Sequence, residues 1–217
     1  MTRVIIAATP IYGHVAPLRT IAAGLVRRGD QVTFMTGARF RASVEATGAT
    51  FAALPPEADY DPAEFPLLHS PEYVDLEPGP QKLAFELREF FVKPVPAQYA
   101  ALQRLLAAAG GEPVAVLHDT SFRGAMPVLL GAPGIRPAAV IAIGVVPLPL
   151  SSADTAPFGL GLPPDASPEG RERNRAANKA VQEGQFGDLQ RYVLEVMRST
   201  GATQDPPIHH GRRRVAP

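Results

Sequence analysis

A histidine and an aspartate, distant in the chain, stand at equivalent places in the sequence pattern. His14 ends the run Thr9-Pro-Ile-Tyr-Gly-His14, directly after the apolar stretch Val4 to Ala8. Asp119 follows a second apolar stretch, Val114 to Leu117, with His118 between. Continuous apolar runs rich in β-branched residues read as strands buried on both faces. In open α/β sheets, ligands bind in the crevice beyond the carboxyl ends of the strands. If these two strands are neighbours, both side chains overlook one crevice. A neutral imidazole is suited to removing a proton from an alcohol near neutral pH. A carboxylate on its other nitrogen would fix the tautomer and stabilise the imidazolium that forms. A plainer alternative stands beside this one: His14 caps the first helix, and Asp119, a strong N-cap residue, caps the helix after its strand.

Other residues could shape a pocket around such a pair. Ile11, Tyr12 and Gly13 share the loop with His14 and are candidate substrate contacts. Phe85, Phe90, Phe91 and Tyr99 lie in a helical region, with Phe65 and Tyr73 in the loop before it. Core packing accounts for most of these rings; the sharper reading makes Phe65, Phe85, Phe90 and Phe91 the apolar wall of a small-molecule site. His118 alternates to the opposite face of its strand and reads as structural. His14, His118 and Asp119 lack metal-ligand spacing, so no metal is expected. The first loop also fails as a dinucleotide site, because only Gly13 is present where G-x-G-x-x-G is required.

The elements that must position these residues follow from periodicity and breakers. After the strand Val4 to Ala8 comes a helix starting near Pro17, with Leu18, Ile21, Ala22, Leu25 and Val26 at helical spacing and Gly29 as its stop. Gln31 to Thr36 reads as a second strand, Ala38 to Thr47 as a helix and Thr50 to Leu54 as a third strand. This alternation implies right-handed crossovers and an α/β fold, a mostly parallel twisted sheet with helices on both faces. Residues 55–80 hold prolines at 55, 56, 62, 66, 71, 78 and 80 and read as a long irregular loop. Gln81 to Ala109 is helical, interrupted around Pro94 and Pro96. Beyond the fourth strand come a short helix, Phe122 to Leu130, and a fifth strand, Ala138 to Ile143. A second loop over 144–167 and a helical pattern from Glu169 to Ser199, broken near Gly184 or Gly187, follow. Residues 201–217 lack apolar periodicity and read as an unstructured tail.

Composition excludes several function classes. Lys+Arg and Asp+Glu are equal at 21 each, which gives no electrostatic reason to expect nucleic acid or an anionic membrane as partner. The chain has no cysteine, so disulfides, thiolate ligands and a cysteine nucleophile are excluded. No stretch approaches the roughly 18 apolar residues of a membrane span, and the N-terminus does not read as a signal peptide. A cytoplasmic location is expected.

The run Thr9-Pro-Ile-Tyr-Gly-His14-Val-Ala-Pro17-Leu resembles the N-terminal signature of the UDP-glycosyltransferase superfamily, above all its bacterial natural-product members. Leu25-Val-Arg-Arg-Gly29-Asp-Gln-Val-Thr-Phe, Gly48-Ala-Thr-Phe and Leu54-Pro continue the likeness in order. The resemblance implies a Rossmann-like domain over residues 1–200, one half of a GT-B fold, that binds a small hydrophobic acceptor. It implies inverting transfer of a sugar to an acceptor hydroxyl, with His14 as general base and Asp119 as its orienting partner. No cofactor is implied; the nucleotide sugar is a donor substrate held by a second, C-terminal half. That donor-binding domain is expected to be absent from the 217 residues. Three explanations follow: a truncated transferase, one subunit of a split transferase, or a stand-alone binding or helper protein. A separate donor-binding chain or a homodimer is the expected partner, and the chain alone is expected to be inactive.

Overall fold

The computed structural model describes residues 2–146, 152–158 and 160–206. Five strands form one all-parallel sheet: β1 (Arg3–Ala7), β2 (Gln31–Thr36), β3 (Thr50–Ala53), β4 (Val114–Asp119) and β5 (Ala139–Ile143). The order is β3-β2-β1-β4-β5, so β1 and β4 are direct neighbours, with Ala7 opposite His118. The order reverses at β1, which is where an open α/β sheet leaves a crevice at its carboxyl edge.

The alternation of side chains along β1 feeds two separate cores. Val4 and Ile6 pack with Val15, Leu18 and Ala22 of α1 (Tyr12–Arg27). Ile5 and Ala7 face the other way, into a cluster that joins two later elements. Ala101, Leu102 and Leu106 enter it from α5 (Val95–Ala108), and Val116 enters it from β4. Burying both faces requires apolar residues at consecutive positions, which is why β1 reads as an unbroken apolar run. The remaining helices are α2 (Arg41–Glu45), α3 (Pro71–Val74), α4 (Pro80–Glu86), α6 (Met126–Leu129), α7 (Pro168–Glu183) and α8 (Gln185–Ser199). None of the described helices is long and apolar enough to cross a membrane.

Three elements differ from the sequence expectations. The helix α1 begins at Tyr12, five residues before Pro17, because the N–H groups of His14 and Val15 both reach the Ile11 carbonyl at 2.9 and 3.0 Å. Gly13 and His14 therefore belong to the first helical turn, not to a loop, and Pro17 sits inside the helix. The long loop 55–80 is not featureless: Pro62–Glu64, Pro66–His69 and α3 are short helical turns, each with proline at its first or second position. Proline lacks the N–H that would be unpaired there and has its φ already set. The helix expected from Phe122 shrinks to α6, because the Asp119 carboxylate holds residues 121 and 122 in a bend.

The long C-terminal pattern is two helices, separated at Gly184. Ser167 caps α7 by accepting from the Gly170 N–H at 3.0 Å. Of the segment 201–217, Thr203 and Gln204 donate their N–H groups to the Leu130 carbonyl at 3.0 and 2.9 Å; residues 207–217 lie outside the described residues, as do 147–151 and 159 of the second loop.

Candidate active site

At the carboxyl ends of β1 and β4 the two residues singled out by the sequence meet. His14 Nδ1 lies 2.9 Å from Asp119 Oδ1, with the imidazole 9% exposed and the carboxylate fully buried. Asp119 gathers further donors. The Thr9 N–H reaches Oδ2 at 2.7 Å, and the Ser121 and Phe122 N–H groups reach Oδ1 at 2.8 and 3.2 Å. The Thr9 hydroxyl adds a longer contact to Oδ1 at 3.4 Å. Burial by itself would raise this carboxyl, but the bond from His14, the Thr9 N–H, the imidazole charge and the Ser121 N–H outweigh it. They hold it below the usual carboxylate range.

An ionised Asp119 can only accept, so His14 Nδ1 carries the proton and donates it. The other ring nitrogen, Nε2, is then the basic one, and no described residue bonds to it. Asp119 accepts from the backbone of the bend after β4 and from His14, but it does not cap the next helix, whose N-cap is Ala125, and His14 lies inside α1, whose N-cap is Ile11.

The aromatic candidates divide. The Phe91 ring centroid is 5.9 Å from that of His14, and Phe90 lies 6.4 Å from Phe91. Phe65 packs on Phe90 at 4.8 Å, so these three rings form a continuous wall leading to the imidazole. Phe90 and Phe91 sit on a π-helical turn, Leu87–Val92, closed by the Lys93 N–H on the Arg88 carbonyl at 2.9 Å. Pro94 and Pro96 interrupt the helix there, and the wider turn inserts an extra residue, a device frequent at functional sites. Phe85 falls outside the wall. It pairs with Tyr73 at 5.7 Å, and Tyr73 in turn donates to Glu86 at 2.5 Å.

Around the first turn of α1, Tyr12 is 70% exposed and Ile11 is its extended N-cap. A Cβ built on Gly13 would meet nothing within 4 Å, so that position on the first turn of α1 is open. His118 is buried, with Nδ1 donating to the Asp119 carbonyl at 2.7 Å, away from His14. Tyr99 is buried and donates to the Pro133 carbonyl at 2.6 Å, a packing role.

Sequence reasoning passed over three residues. Thr9 supplies the closest backbone donor to Asp119. Tyr60 packs on both Phe65 and Phe90 and donates to the Phe90 carbonyl at 2.7 Å, which fixes the π-helical turn. Burial, with the Asp119 charge adding to it and Arg39 opposing it, raises the Tyr60 hydroxyl far above its ordinary value, so it stays a neutral donor. Arg39 bonds the Pro10 carbonyl at 2.7 Å and pairs with Asp61, tying the turn before α1 to the loop that carries Phe65. At this junction Gly37 is obligatory: a Cβ there would lie 2.5 Å from Asp59 Oδ1 and 2.7 Å from Pro10 Cβ. Position after a strand end was the available signal for Thr9; Tyr60 and Arg39 carry none.

Known proteins share this arrangement of chain. UDP-glycosyltransferase 2 of Phaeomoniella chlamydospora is 46% identical over 206 residues, 94% of this chain and 44% of that protein. The 4'-demethylrebeccamycin synthase of Lentzea aerocolonigenes is 36% identical over 201 residues, 92% of this chain and 45% of its own length. The chain belongs to the UDP-glycosyltransferase superfamily, as one half of its GT-B architecture. No family model matches the chain. The glycosyltransferase of kitacinnamycin shares the fold, with a TM-score of 0.54 at 16% identity over 93% of this chain and 42% of that one. The chain spans less than half the length of the curated relatives it matches.

Proposed function

We propose that these residues form the acceptor-binding half of an inverting glycosyltransferase, with His14 as the general base. The observation that carries the reading is the His14–Asp119 bond, 2.9 Å long, at the carboxyl ends of two adjacent parallel strands. The acceptor hydroxyl lies at His14 Nε2, against the wall made by Phe91, Phe90 and Phe65. As the hydroxyl oxygen forms its bond to the anomeric carbon, Nε2 takes the proton. The bond from that carbon to the nucleoside diphosphate breaks, and its electron pair leaves with the diphosphate. Asp119 stabilises the imidazolium by its charge and keeps the ring in the tautomer that presents a basic Nε2. The donor nucleotide sugar is held by the family's other half, which closes the cleft and places the anomeric carbon beside the acceptor oxygen. Ile11, Tyr12 and Gly13 border the acceptor at the start of α1.

The test is a chimera in which these residues replace the 46%-identical part of the Phaeomoniella chlamydospora relative. With UDP-glucose and a panel of phenolic acceptors, transfer is expected from the chimera, and His14→Ala should lower kcat by about 100-fold or more. An active chimera unaffected by His14→Ala would refute the assignment of the base. Isothermal titration of the 217-residue chain with UDP should show no binding; clear micromolar binding would refute the division of roles between the halves.

A further inference from the structure

We propose that Tyr60 is a positioning residue for acceptor binding: its hydroxyl takes the place of a backbone N–H that Pro94 lacks, holds the turn Leu87–Val92 in its wide π-helical form, and thereby keeps the Phe91 ring beside His14. This rests on the acceptor-site reading above and adds to it the residue that sets the shape of the acceptor wall.

In a regular α-helix the Phe90 carbonyl would accept from the N–H of residue 94. That residue is proline, which has none. A buried carbonyl without a donor is costly. The Tyr60 hydroxyl supplies the donor at 2.7 Å. The Lys93 N–H meanwhile reaches back five residues to the Arg88 carbonyl at 2.9 Å, so the turn holds one residue more than an α-turn. Each residue advances an α-helix by about 100°. Relaxation to α-helical spacing would shift the turn by one such step and swing Phe91 away from the imidazole, whose centroid is 5.9 Å from that of the ring. Phe90 is buried, whereas Phe91 is half-buried and keeps surface for a ligand.

Two other contacts brace the turn, both through exposed cations. Lys93 donates to Glu89 at 2.6 Å, and the Arg88 guanidinium lies 4.6 Å from the centre of the Tyr192 ring. Solvent weakens such contacts. The Tyr60 bond is buried, and burial keeps its hydroxyl a neutral donor. Tyr60 is itself anchored on both sides. Asp59 accepts from the Ala38 N–H at 2.9 Å, and Asp61 pairs with Arg39. Placement runs from the end of β2 through Tyr60 and Phe90 to Phe91, and Tyr60 acts without touching the acceptor.

The test follows the His14 ring-proton resonances by NMR in the whole 217-residue chain, with melting temperatures confirming that each variant folds. The nearby ring shifts these resonances by its ring current, so Phe91→Ala should move them. Tyr60→Phe keeps its ring and loses only the hydroxyl. It should move them in the same direction, and adding it to Phe91→Ala should move them no further. Pro94→Ala returns an N–H at residue 94. Combined with Tyr60→Phe, it should restore the melting temperature and leave the His14 resonances displaced, because the Phe90 carbonyl is then satisfied within an α-turn. Recovery of both together would overturn the proposal, as would His14 resonances unmoved by Tyr60→Phe. In the active chimera, Tyr60→Phe should raise KM for a phenolic acceptor by about two- to tenfold, with kcat within about twofold. A loss in kcat without a change in KM would overturn the positioning role. If Phe91→Ala leaves KM unchanged while Tyr60→Phe still moves the His14 resonances, the acceptor-site reading fails and Tyr60 still sets the ring.

Discussion

Around His14, the end of β1, the end of β4 and the bend after Asp119 meet in one closed set of hydrogen bonds, whereas the facing segment 60–92 is held largely by ring contacts. The first region places a fully buried carboxylate among backbone donors from Thr9, Ser121 and Phe122. The second rests on Tyr60, Phe65, Phe90 and Phe91 at centroid separations of 4.8 to 6.4 Å and on one buried bond from Tyr60. Hydrogen bonds to a charged group are directional and leave a narrow geometry. Ring contacts are individually weak and tolerate displacement. Proton transfer needs the first kind of wall, and accommodation of an acceptor suits the second. Under the proposed function, the chemistry sits on the sheet and acceptor choice on the proline-punctuated segment opposite it.

The largest effect that separates the two walls is expected from Asp119→Asn. An asparagine can turn its amide nitrogen toward Nδ1, which moves the imidazole proton to Nε2 and removes the base. Transfer by the chimera should fall by about 100- to 10,000-fold with KM little changed. Steady-state kinetics on UDP-glucose checks it, and a loss confined to KM would contradict the orienting role.

Phe91→Ala should act on the other term. Removing the ring beside His14 should weaken acceptor binding by about tenfold, as lost apolar contact of 1–2 kcal/mol requires. Phe85→Ala, on the Tyr73 pair away from the wall, should leave KM within about twofold, a change too small to mark a lost contact. Comparable KM changes in the two variants would mean that the wall extends further along α4 than the ring contacts indicate.

Acid stability should also distinguish the regions. The folded-state pKa of Asp119 lies below its ordinary value of 3.8, so its contribution is fully present above that value. That contribution is lost as pH falls through the lowered folded value. The exposed Asp165 is lowered to about 2 with the same sign, by Ser167 first and then Arg173, but solvent screening discounts its effect. Melting temperature followed below about pH 4 should therefore flatten in Asp119→Asn and hardly change in Asp165→Asn. The reverse ranking would show that the surface loop before α7, not the site, governs acid unfolding.

The smallest effect has opposite signs on the two properties. Gly13→Ala places a methyl in open space within the first turn of α1, at a residue without positive φ. Helix propensity should raise stability by about 0.5–1 kcal/mol. Under the proposed function, in which Gly13 borders the acceptor, the same methyl should reduce acceptor affinity. Chemical denaturation and acceptor titration on one sample would test both.

Strand identities, most of the longer helices and the candidate pair were legible in the amino-acid sequence. They depend on apolar runs, on glycine and proline breakers, and on a histidine and an aspartate just past strand ends. The start of α1 was not legible, because the Ile11 carbonyl nucleates the helix ahead of Pro17. The separation of Phe91 from Phe85 was not legible either. Both rings lie in one helical pattern, and only the π-helical turn and the Tyr60 bond decide which of them reaches His14. Local pattern determined that two chemically capable residues would stand at the carboxyl edge of a parallel sheet. Tertiary structure decided that their strands are adjacent, that 2.9 Å separates nitrogen from oxygen, that Thr9 donates to the same carboxylate and that Tyr60 holds Phe90 beside them. Strand order and the packing of a long loop are set by contacts between segments remote in sequence, and such contacts leave no periodicity to read.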